Sequence, residues 1–501
     1  MNSTPDFLHQ PYWYTMGPMM VVAATAFVVM ILEFIFRSGN RRWLSGISML
    51  GILVALGVAI RFDVAQVHQA AWIKPQLLLN TIAVDSLGTV FSILILIGSF
   101  LVLLFTFDYT GRTKVAAEHT YLILFAVVGA LTMATAFDLI TLYVGLELLS
   151  VSSYVLTALK KKSLKSVEGG AKYLVMGSIG SATLLYGFSF IYGISGTTNL
   201  AAIASSAQDL WATYPTMVIV AFVLVVAGLG VKLSFVPFHM WTPDAYEGAP
   251  SPISAFLATV SKVAGFAMLF RILVWVFGSG SSAEFYWIAI IAAITMVVGN
   301  LLALPQKNMK RLLAFSSVAQ AGYVVVPFAL FGFITASQDW YGTIDSVMFY
   351  LLAYTFMTTG AFAVAHLVER DRESGESDAL IGLARRNPWL ATALTIFLLS
   401  LAGMPLTGGF VGKFYIFTET VHLREVWLGI VLFGTSVMSF FYYFGWIRKM
   451  FIRDPSDNPV SPKPIQVAPA MHTLLGLCVL GTLVLGVVPA AFLHSLGQTP
   501  W

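Results

Sequence analysis

Residues 231–266 read VKLSFVPFHMWTPDAYEGAPSPISAFLATVSKVAGF, an apolar stretch that is interrupted by Pro237, Pro243, Pro250 and Pro252. Proline removes a backbone hydrogen-bond donor and clashes with the preceding turn, so a helix that enters this stretch breaks. Non-helical backbone at membrane depth persists only where it is buried in protein or lines a wet cavity. The stretch therefore predicts a broken membrane helix beside a functional site.

The composition of the whole chain agrees with a membrane location. Of its 501 residues, 58% are hydrophobic and only 10% are charged, and its mean hydropathy is +0.83. The first apolar run has no basic region before it and no small-residue cleavage site after it, so we predict a retained helix rather than a signal peptide. A spanning helix needs about 20 apolar residues, and fourteen segments qualify: 16–36, 43–60, 86–107, 118–136, 138–159, 168–193, 215–236, 252–276, 287–304, 310–331, 345–368, 388–420, 426–452 and 467–492.

A second break lies in a matching place. The stretch LAGMPLTGGFVGKF at 401–414 contains Pro405, Gly408 and Gly409 inside the twelfth segment. Grouping segments 4–8 and 9–13 puts the broken helix fourth in each set, and an odd number of spans per set makes the second copy inverted. We therefore predict an all-α integral membrane fold of about 14 helices with two inverted five-helix repeats. The predicted units are 1–117, 118–277, 287–453 and 454–501.

The basic residues in the connections predict the orientation. Of the basic residues in these connections, only three fall on the outer side: Arg61, Lys74 and Arg424. An even number of spans with both termini outside follows, and the net charge of +4 needs no nucleic-acid partner. Twenty basic residues fall on the inner side: Arg37, Arg41, Arg42, Arg112, Lys114, Lys160, Lys161, Lys162, Lys165, Lys307, Lys310, Arg311, Arg370, Arg372, Arg385, Arg386, Arg448, Lys449, Arg453 and Lys463.

Five charged residues lie within otherwise apolar segments: Glu147, Lys172, Lys232, Lys262 and Lys413. A charge at membrane depth costs roughly 3 kcal/mol or more, so such residues usually mark ion pathways. A lysine whose environment changes can gain and lose a proton. The alternative is a structural ion pair. Lys172 is close to the inner end of its segment, and for this residue the alternative is a side chain whose ammonium group extends to the membrane surface.

Other titratable residues carry weaker signals. His239 follows the first break and is a further candidate for holding a proton. His366 is better explained as a hydrogen-bonded structural residue. Glu33, Arg271 and Glu419 lie toward the ends of their segments, which predicts interfacial positions.

Several kinds of chemistry are not indicated by the sequence. There is no Walker A motif, and the string GSGSSA at 278–283 joins two predicted spans without a preceding strand, so it is not a dinucleotide site. The single Cys478 excludes intrachain disulfides and cysteine-ligated clusters. No histidine or carboxylate pattern predicts haem or a metal site. Energy must therefore come from an ion gradient or from a partner.

Five long blocks resemble the antiporter-like membrane subunits of respiratory complex I, most closely the N-type subunit that corresponds to mitochondrial and photosynthetic subunit 2. The resemblance covers nearly the whole chain, and the lysine at position 413 favours the N type over its siblings. The blocks are GLELLSVSSYVL (145–156), SVEGGAKYLVMGSIGSATLLYGFSFIYGISGTTNL (166–200), VKLSFVPFHMWTPDAYEGAPSPISAFLATVSKVAGF (231–266), KNMKRLLAFSSVAQAGY (307–323) and LAGMPLTGGFVGKFYIF (401–417).

The resemblance implies roles for the buried charges in a proton-transfer chain. Glu147 and Lys232 match the pair near the first broken helix, Lys262 the central link, and Lys413 the residue near the second break. Lys172 corresponds to a further lysine of the sixth helix. In addition, His239 stands where the family often has a histidine.

The resemblance also implies the partners and the location. The chain would be a non-redox subunit of a proton-translocating NADH:quinone oxidoreductase in a bacterial plasma membrane. Quinone, flavin and Fe–S clusters are expected in partner subunits, with no cofactor in this chain. Expected partners are an antiporter-like M-type subunit, small K-, J- and A-type subunits, indirectly the peripheral redox arm, and the lipid bilayer.

Two alternatives stay open at this point. A subunit of an Mrp-type Na⁺/H⁺ antiporter shares the fold and the Glu/Lys motifs, but it would be driven by a gradient alone. A structural membrane spacer would use its buried charges only for pairing, although the number of buried lysines argues against it.

Overall fold

The computed structural model describes residues 12–36, 42–66, 76–78, 80–110, 116–278, 282–334, 341–452 and 465–489. Several predictions concern residues outside these ranges. They involve both chain termini, residues 279–281 of the GSGSSA string, and the basic residues Arg37, Arg41, Lys74, Arg112, Lys114, Arg453 and Lys463.

The N-terminal part contains three long helices and a small hairpin. The helices are α1 (Tyr12–Ile35), α2 (Arg42–Gln66) and α3 (Ser86–Thr110). Between α2 and α3 lie the antiparallel strands β1 (Gln76–Leu78) and β2 (Ile82–Val84), which the sequence did not predict.

The first set of helices contains the first break. Asp138 begins one of them, because its carboxylate accepts hydrogen bonds from the amides of Ile140 and Thr141 at 2.9 and 3.2 Å. The elements are α4 (Ala116–Thr135), α5 (Leu139–Thr157), α6 (Leu164–Ser195), α7 (Leu200–Thr213), α8 (Pro215–Leu233), α9 (Thr242–Gly248), α10 (Ser251–Ala258) and α11 (Val260–Trp275).

The second set contains the second break and is followed by a final helix. The elements are α12 (Ser282–Ala303), α13 (Met309–Leu330), α14 (Tyr341–Arg372), α15 (Leu383–Arg386), α16 (Pro388–Ala402), α17 (Gly408–His422), α18 (Val426–Phe451) and α19 (Pro469–Val487).

The predicted membrane fold is confirmed as a nearly all-helical architecture. Thirteen helical stretches of the described chain are long and apolar enough to cross a membrane, with α10 and α11 counted as one. The remaining predicted segment, 388–420, consists of α16 and α17, each of 15 residues. Both predicted breaks are therefore present, at 234–241 and at 403–407. Helix α7 was not predicted, because LAAIASSAQDLWAT contains too few apolar residues for a span.

Burial separates a central group of helices from a surrounding layer. Helices α10, α11, α13 and α14 are almost wholly buried. The outer helices expose large apolar side chains, such as Phe34 on α1, Leu50 on α2 and Phe441 on α18. An apolar outer surface around a packed interior is what a bilayer environment requires.

The first and second sets of helices pack in corresponding pairs. Helix α4 packs on α5 as α12 packs on α13, and α6 contacts both α8 and α9 as α14 contacts both α16 and α17. Helix α13 contacts both α9 and α17, so it joins the two broken regions through the centre. The inverted orientation of one set relative to the other stays a prediction.

Candidate functional site

The first break ends helix α8 one residue after Lys232. Ser234 adopts a left-handed conformation, with φ of 64°. The indole N–H of Trp241 donates to the carbonyl of Val231 at 2.9 Å, and the Thr242 hydroxyl donates to that of Ser234 at 2.8 Å. These bonds satisfy groups that the broken helix would leave unpaired, and they fix Lys232 at the end of its helix.

Lys232 on α8 and Glu147 on α5 lie near enough for their charges to interact, but no ion pair joins them. The Lys232 ammonium is buried and donates to the hydroxyl of Ser150 at 3.0 Å. Glu147 precedes Ser150 by three residues, so both lie on one side of α5. The Glu147 charge acts on Lys232, yet its Oε1 is buried without a hydrogen-bond partner. The carboxylate is close but not locked to the ammonium.

A small polar cavity adjoins Lys232. Its volume is about 10 Å³, and the hydroxyls of Ser150, Tyr154, Tyr173 and Ser181 line it together with the lysine. This is about the smallest space that holds one water molecule, and the hydroxyls are suitable partners for it.

Lys262 lies at the centre of the molecule on α11. Its ammonium donates to the backbone carbonyl of Ser317 at 2.5 Å, and Tyr354 donates to the Ser317 hydroxyl at 2.9 Å. A Cβ at Gly265 would lie 2.7 Å from Cδ2 of Leu233, so this glycine lets the end of α8 beside Lys232 approach α11. Within the described chain, no carboxylate lies within ion-pair distance of Lys262.

Lys413 lies on α17 directly behind the second break. Its ammonium donates to the last carbonyls of α16, those of Leu401 at 2.9 Å and Ala402 at 3.3 Å. It also lies 4.5 Å from the ring centroid of Tyr323. Gly403 turns the chain at the break with φ of +93°. A Cβ there would lie 3.3 Å from Cδ of Lys413. The glycine therefore provides both the turn and the space for the lysine.

Polar side chains connect the centre to the second break. Gln320 donates to the Leu401 carbonyl at 3.2 Å, the same oxygen that accepts from Lys413. Tyr350 donates in turn to the Gln320 amide oxygen, and its ring stacks with that of Tyr354 at 6.5 Å between centroids. We call Lys232, Lys262 and Lys413 the buried lysine row.

Sequence reasoning missed the side chains that connect the row. Ser317 and Gln320 lie on α13, and Tyr350 and Tyr354 on α14, and all four are buried. The available signal was the presence of hydrogen-bonding side chains in two helices that are otherwise apolar.

The structure places Lys172 apart from the row. Its side chain is 45% exposed and lies 2.6 Å from Asp244 and 2.7 Å from Glu168. Arg311 joins the same network at 2.5 Å from Asp244 and 2.9 Å from Glu247. This arrangement fits the alternative in which Lys172 extends to the surface.

The two candidate histidines lie in different surroundings. His239 lies in the first break, buried, and neither ring nitrogen has a hydrogen-bond partner. Its ring centroid lies 6.5 Å from that of Phe315 on α13. His366 packs edge-on against Phe105 and Tyr109 at 5.5 and 5.9 Å between centroids.

The predicted interfacial positions of Arg271 and Glu419 are wrong. Arg271 is fully buried and makes a bidentate ion pair with Asp85, at 2.5 and 2.8 Å. Glu419 is also buried, and it accepts a hydrogen bond from Thr343 at 3.1 Å. Each charge is buried because a distant part of the chain supplies its partner. Glu33 is only partly buried.

Comparison with known sequences assigns a family to most of the chain. Residues 136–439 match the family described as NADH:quinone oxidoreductase/Mrp antiporter, TM. The NADH-quinone oxidoreductase subunit N of Geobacillus sp. (strain WCH70) is 41% identical over 509 residues. That alignment covers 98% of this chain and 99% of the relative.

Solved structures show the same fold. A chain of respiratory complex I from Thermus thermophilus with bound Aureothin is 29% identical, with a TM-score of 0.76, and covers 96% of this chain and 99% of its own. A chain of the Mrp complex from Dietzia sp. DQ12-45-1b is 22% identical, with a TM-score of 0.80, and covers 97% of this chain and 96% of its own. At that identity the second likeness concerns the fold alone. The Mrp alternative is therefore less well supported than the complex I interpretation.

Proposed function

The chain belongs to the subunit N family of NADH-quinone oxidoreductases, and we propose that it transfers protons across the membrane along its buried lysine row. The observation that carries this proposal is the incomplete pairing of the row. All three ammonium groups are buried, and they donate to a hydroxyl or to backbone carbonyls rather than to carboxylates. A buried ammonium without a bound carboxylate can release its proton more readily than a paired one.

The first transfer starts at Lys232. While Glu147 is ionised and close, its charge favours the ammonium form of Lys232. A movement of charge in the neighbouring subunits that draws Glu147 away removes this interaction. Lys232 then releases its proton, and a water in the cavity beside Ser150 takes it up.

The later transfers run through the centre of the molecule. Lys262 receives the proton, and the side chains of Ser317 and Tyr354 order the water that moves it onward. Because an amide does not exchange protons readily, Gln320 acts as a positioning residue. Its side-chain amide donates to the Leu401 carbonyl, the same oxygen that accepts a hydrogen bond from the Lys413 ammonium. Lys413 then releases the proton toward the outer side.

The energies involved are compatible with this sequence of steps. Moving one charge against about 100 mV costs about 2.3 kcal/mol. A change of two units in the pKa of a proton carrier corresponds to about 2.7 kcal/mol. Breaking one Glu–Lys interaction of that size can therefore drive one proton.

A partner subunit must cover the outer face of α5. Glu147 lies at helical spacing among Ile140, Val144, Val151 and Val155, whose side chains are all exposed on this chain. A carboxylate within an apolar membrane surface is tolerated only when protein covers it. The face therefore fits a neighbouring membrane subunit that brings a hydrogen-bond donor or a cation to Glu147.

A second apolar surface lies beside Lys413. Helices α17 and α18 enclose a cavity of about 290 Å³ that Lys413, Phe414 and Phe433 line, among others. Both phenylalanines are exposed. The row thus approaches the surface of this chain at each end, which fits a subunit placed between two membrane neighbours, as expected for the small K-, J- and A-type subunits on one side and an M-type subunit on the other.

The proposal has further features, which the family resemblance, the distribution of basic residues and the grouping of the spans support. The chain is a non-redox subunit, and quinone, flavin and Fe–S clusters belong to partner subunits. It lies in the bacterial plasma membrane with both termini outside, and its units are 1–117, 118–277, 287–453 and 454–501, with 118–277 and 287–453 as inverted repeats. His239 assists transfer near the first break, and Lys172 acts through its inner-surface network.

Proton uptake into sealed inverted vesicles tests the proposal. Glu147→Gln and Lys232→Ala should each lower NADH-driven proton uptake and quinone reductase activity while the complex still assembles. Lys161→Ala removes an exposed charge after α5 and serves as the control. Normal proton uptake in both Glu147→Gln and Lys232→Ala would overturn the assignment. Sodium-dependent exchange without NADH would favour the antiporter alternative instead.

A further inference from the structure

One inner-side lysine has an unexpected position. Lys310 counts among the basic residues of a predicted loop, but its side chain is only 5% exposed. Lys307, three residues earlier, is exposed. Lys310 also lies in the first turn of α13, where the helix dipole disfavours a cation. Burial and the dipole both oppose this ammonium, so an inner-surface anchor does not account for it.

The polar contacts of Lys310 are long, and one of them is to a carboxylate that is partly exposed to water. Its ammonium donates at 3.2 Å to the carbonyl of Ala249, the residue that ends α9. It lies 3.7 Å from the carboxylate of Glu369 on α14, whose side chain is 31% exposed. Glu247 on α9 and Lys160 after α5 also act on it electrostatically. The next residue on its own helix, Arg311, instead pairs closely with two carboxylates.

Three buried hydroxyls lie on α9 and α14, the helices that pack against α13 on either side of Lys310. They belong to Tyr246, three residues before Ala249, and to Thr358 and Thr359 on α14. The Tyr246 ring packs against Phe362 at 6.2 Å between centroids, four residues after Thr358 and on the same side of α14. The Tyr246 hydroxyl interacts with Ser317, and the Thr358 hydroxyl interacts with Tyr354. Neither makes a close hydrogen bond, and buried hydroxyls of this kind are usual positions for bound water.

The same side of α14 leads on to Lys262. Tyr354 precedes Thr358 by four residues and donates to the Ser317 hydroxyl, and the Ser317 carbonyl accepts from Lys262. Ser317 follows Lys310 on α13 by seven residues, or about 10 Å along two turns. A short path lined by hydroxyls therefore separates Lys310 from the central lysine.

We propose that Lys310 and Glu369 form a proton-exchange site that connects the inner aqueous phase to Lys262. The inference rests on the proposed function, because it adds an entrance to the same row. A proton from inner-side water binds the Glu369 carboxylate and passes to the neutral Lys310 amine. It leaves Lys310 through water bound to Tyr246 and Thr358, and the Lys262 amine accepts it. No electrons move and no other reactant is needed.

Variants that separate charge from proton exchange test this site in the assembled complex. Lys310→Arg keeps the charge and the donors but does not release a proton at working pH, so NADH-driven uptake into inverted vesicles should fall about tenfold or more. Lys310→His should restore part of the uptake, with a rate that falls as the bath pH rises above about 6.5. In inverted vesicles the external buffer is in contact with the inner side of the membrane. Lys307→Met is the control, and its uptake should match wild type.

The outcomes distinguish this proposal from the proposed function. Wild-type uptake in Lys310→Arg, with Lys262→Met inactive, would overturn the entrance and leave the row in place. Normal uptake in Lys262→Met would overturn both. Should Lys310→Arg fail to assemble, Glu369→Gln decides, because its carboxylate is partly exposed. A reduced uptake supports the entrance, and a normal uptake overturns it.

Discussion

Helix α11 carries two buried charges nine residues apart, and their surroundings differ completely. Arg271 donates to both carboxylate oxygens of Asp85, at 2.5 and 2.8 Å, and to the carbonyl of Ala134 at 2.9 Å. Lys262 donates only to the carbonyl of Ser317. One helix thus contains a charge with a full set of partners and a charge with almost none.

The difference separates a structural charge from a mobile one. An arginine is always protonated, so burying it with a bidentate carboxylate fixes the positions of α3, α4 and α11. A lysine with a single carbonyl partner retains the option of losing its proton. Completeness of pairing, rather than burial, is therefore the property that distinguishes the residues that we propose for proton transfer.

The largest expected effect lies at the Arg271 pair. Asp85→Asn leaves the guanidinium buried without its counter-charge, which costs about 3–5 kcal/mol. We expect a marked loss of assembled complex and a lower temperature of unfolding. Blue native gels and a thermal unfolding curve measure both. Wild-type assembly of Asp85→Asn would contradict the distinction between the two charges.

A much smaller effect on stability is expected at Lys262. Lys262→Met keeps the volume and removes a buried ammonium that lacks a carboxylate, so the free energy of unfolding should change by less than about 1.5 kcal/mol, and it could rise. The same gels and unfolding curves apply. A loss as large as that of Asp85→Asn would make Lys262 a structural charge like Arg271.

The smallest effect is expected for an exposed ion pair at the surface of the chain. The hydrogen bond from Lys449 at 2.8 Å lowers the pKa of Asp378, whose side chain is 76% exposed. Its contribution is therefore present above the unfolded pKa of about 3.9 and is lost as the pH falls through the lower folded value. Solvent screening limits it to less than about 1 kcal/mol.

The measurement is the stability difference between wild type and Asp378→Asn from pH 7 downward. The difference should be small at pH 7 and should vanish once the pH lies below the lowered folded pKa, when the carboxyl group is protonated in the wild type as well. A difference that grew as the pH fell would contradict the sign of the pKa shift.

Local signals in the sequence were sufficient for the helices and for both breaks. Proline and glycine act on their own backbone, so Pro237, Pro405 and Gly408 indicate where a helix is interrupted whatever surrounds it. The buried charges were also visible, because Glu147 and Lys262 stand out from apolar neighbours. These properties depend on composition within one segment.

The pairing of those charges could not be predicted, because it depends on contacts between distant segments. Asp85 and Arg271 are 186 residues apart, and Arg271 consequently looked interfacial. Lys310 looked like a loop charge, although the end of α9 and Glu369 bury it. Gln320 gave no signal beyond its polarity. Hydrogen-bond partners across helices are a product of packing.

The most direct test of the central claim is NADH-driven proton uptake in sealed inverted vesicles that contain the Lys262→Met complex. The account predicts an assembled complex in which proton uptake is lost and quinone reductase activity is lowered, since a buried row without its central lysine cannot pass a proton onward. Undiminished uptake in the assembled variant would contradict the account, and Lys262 would then be a structural charge like Arg271.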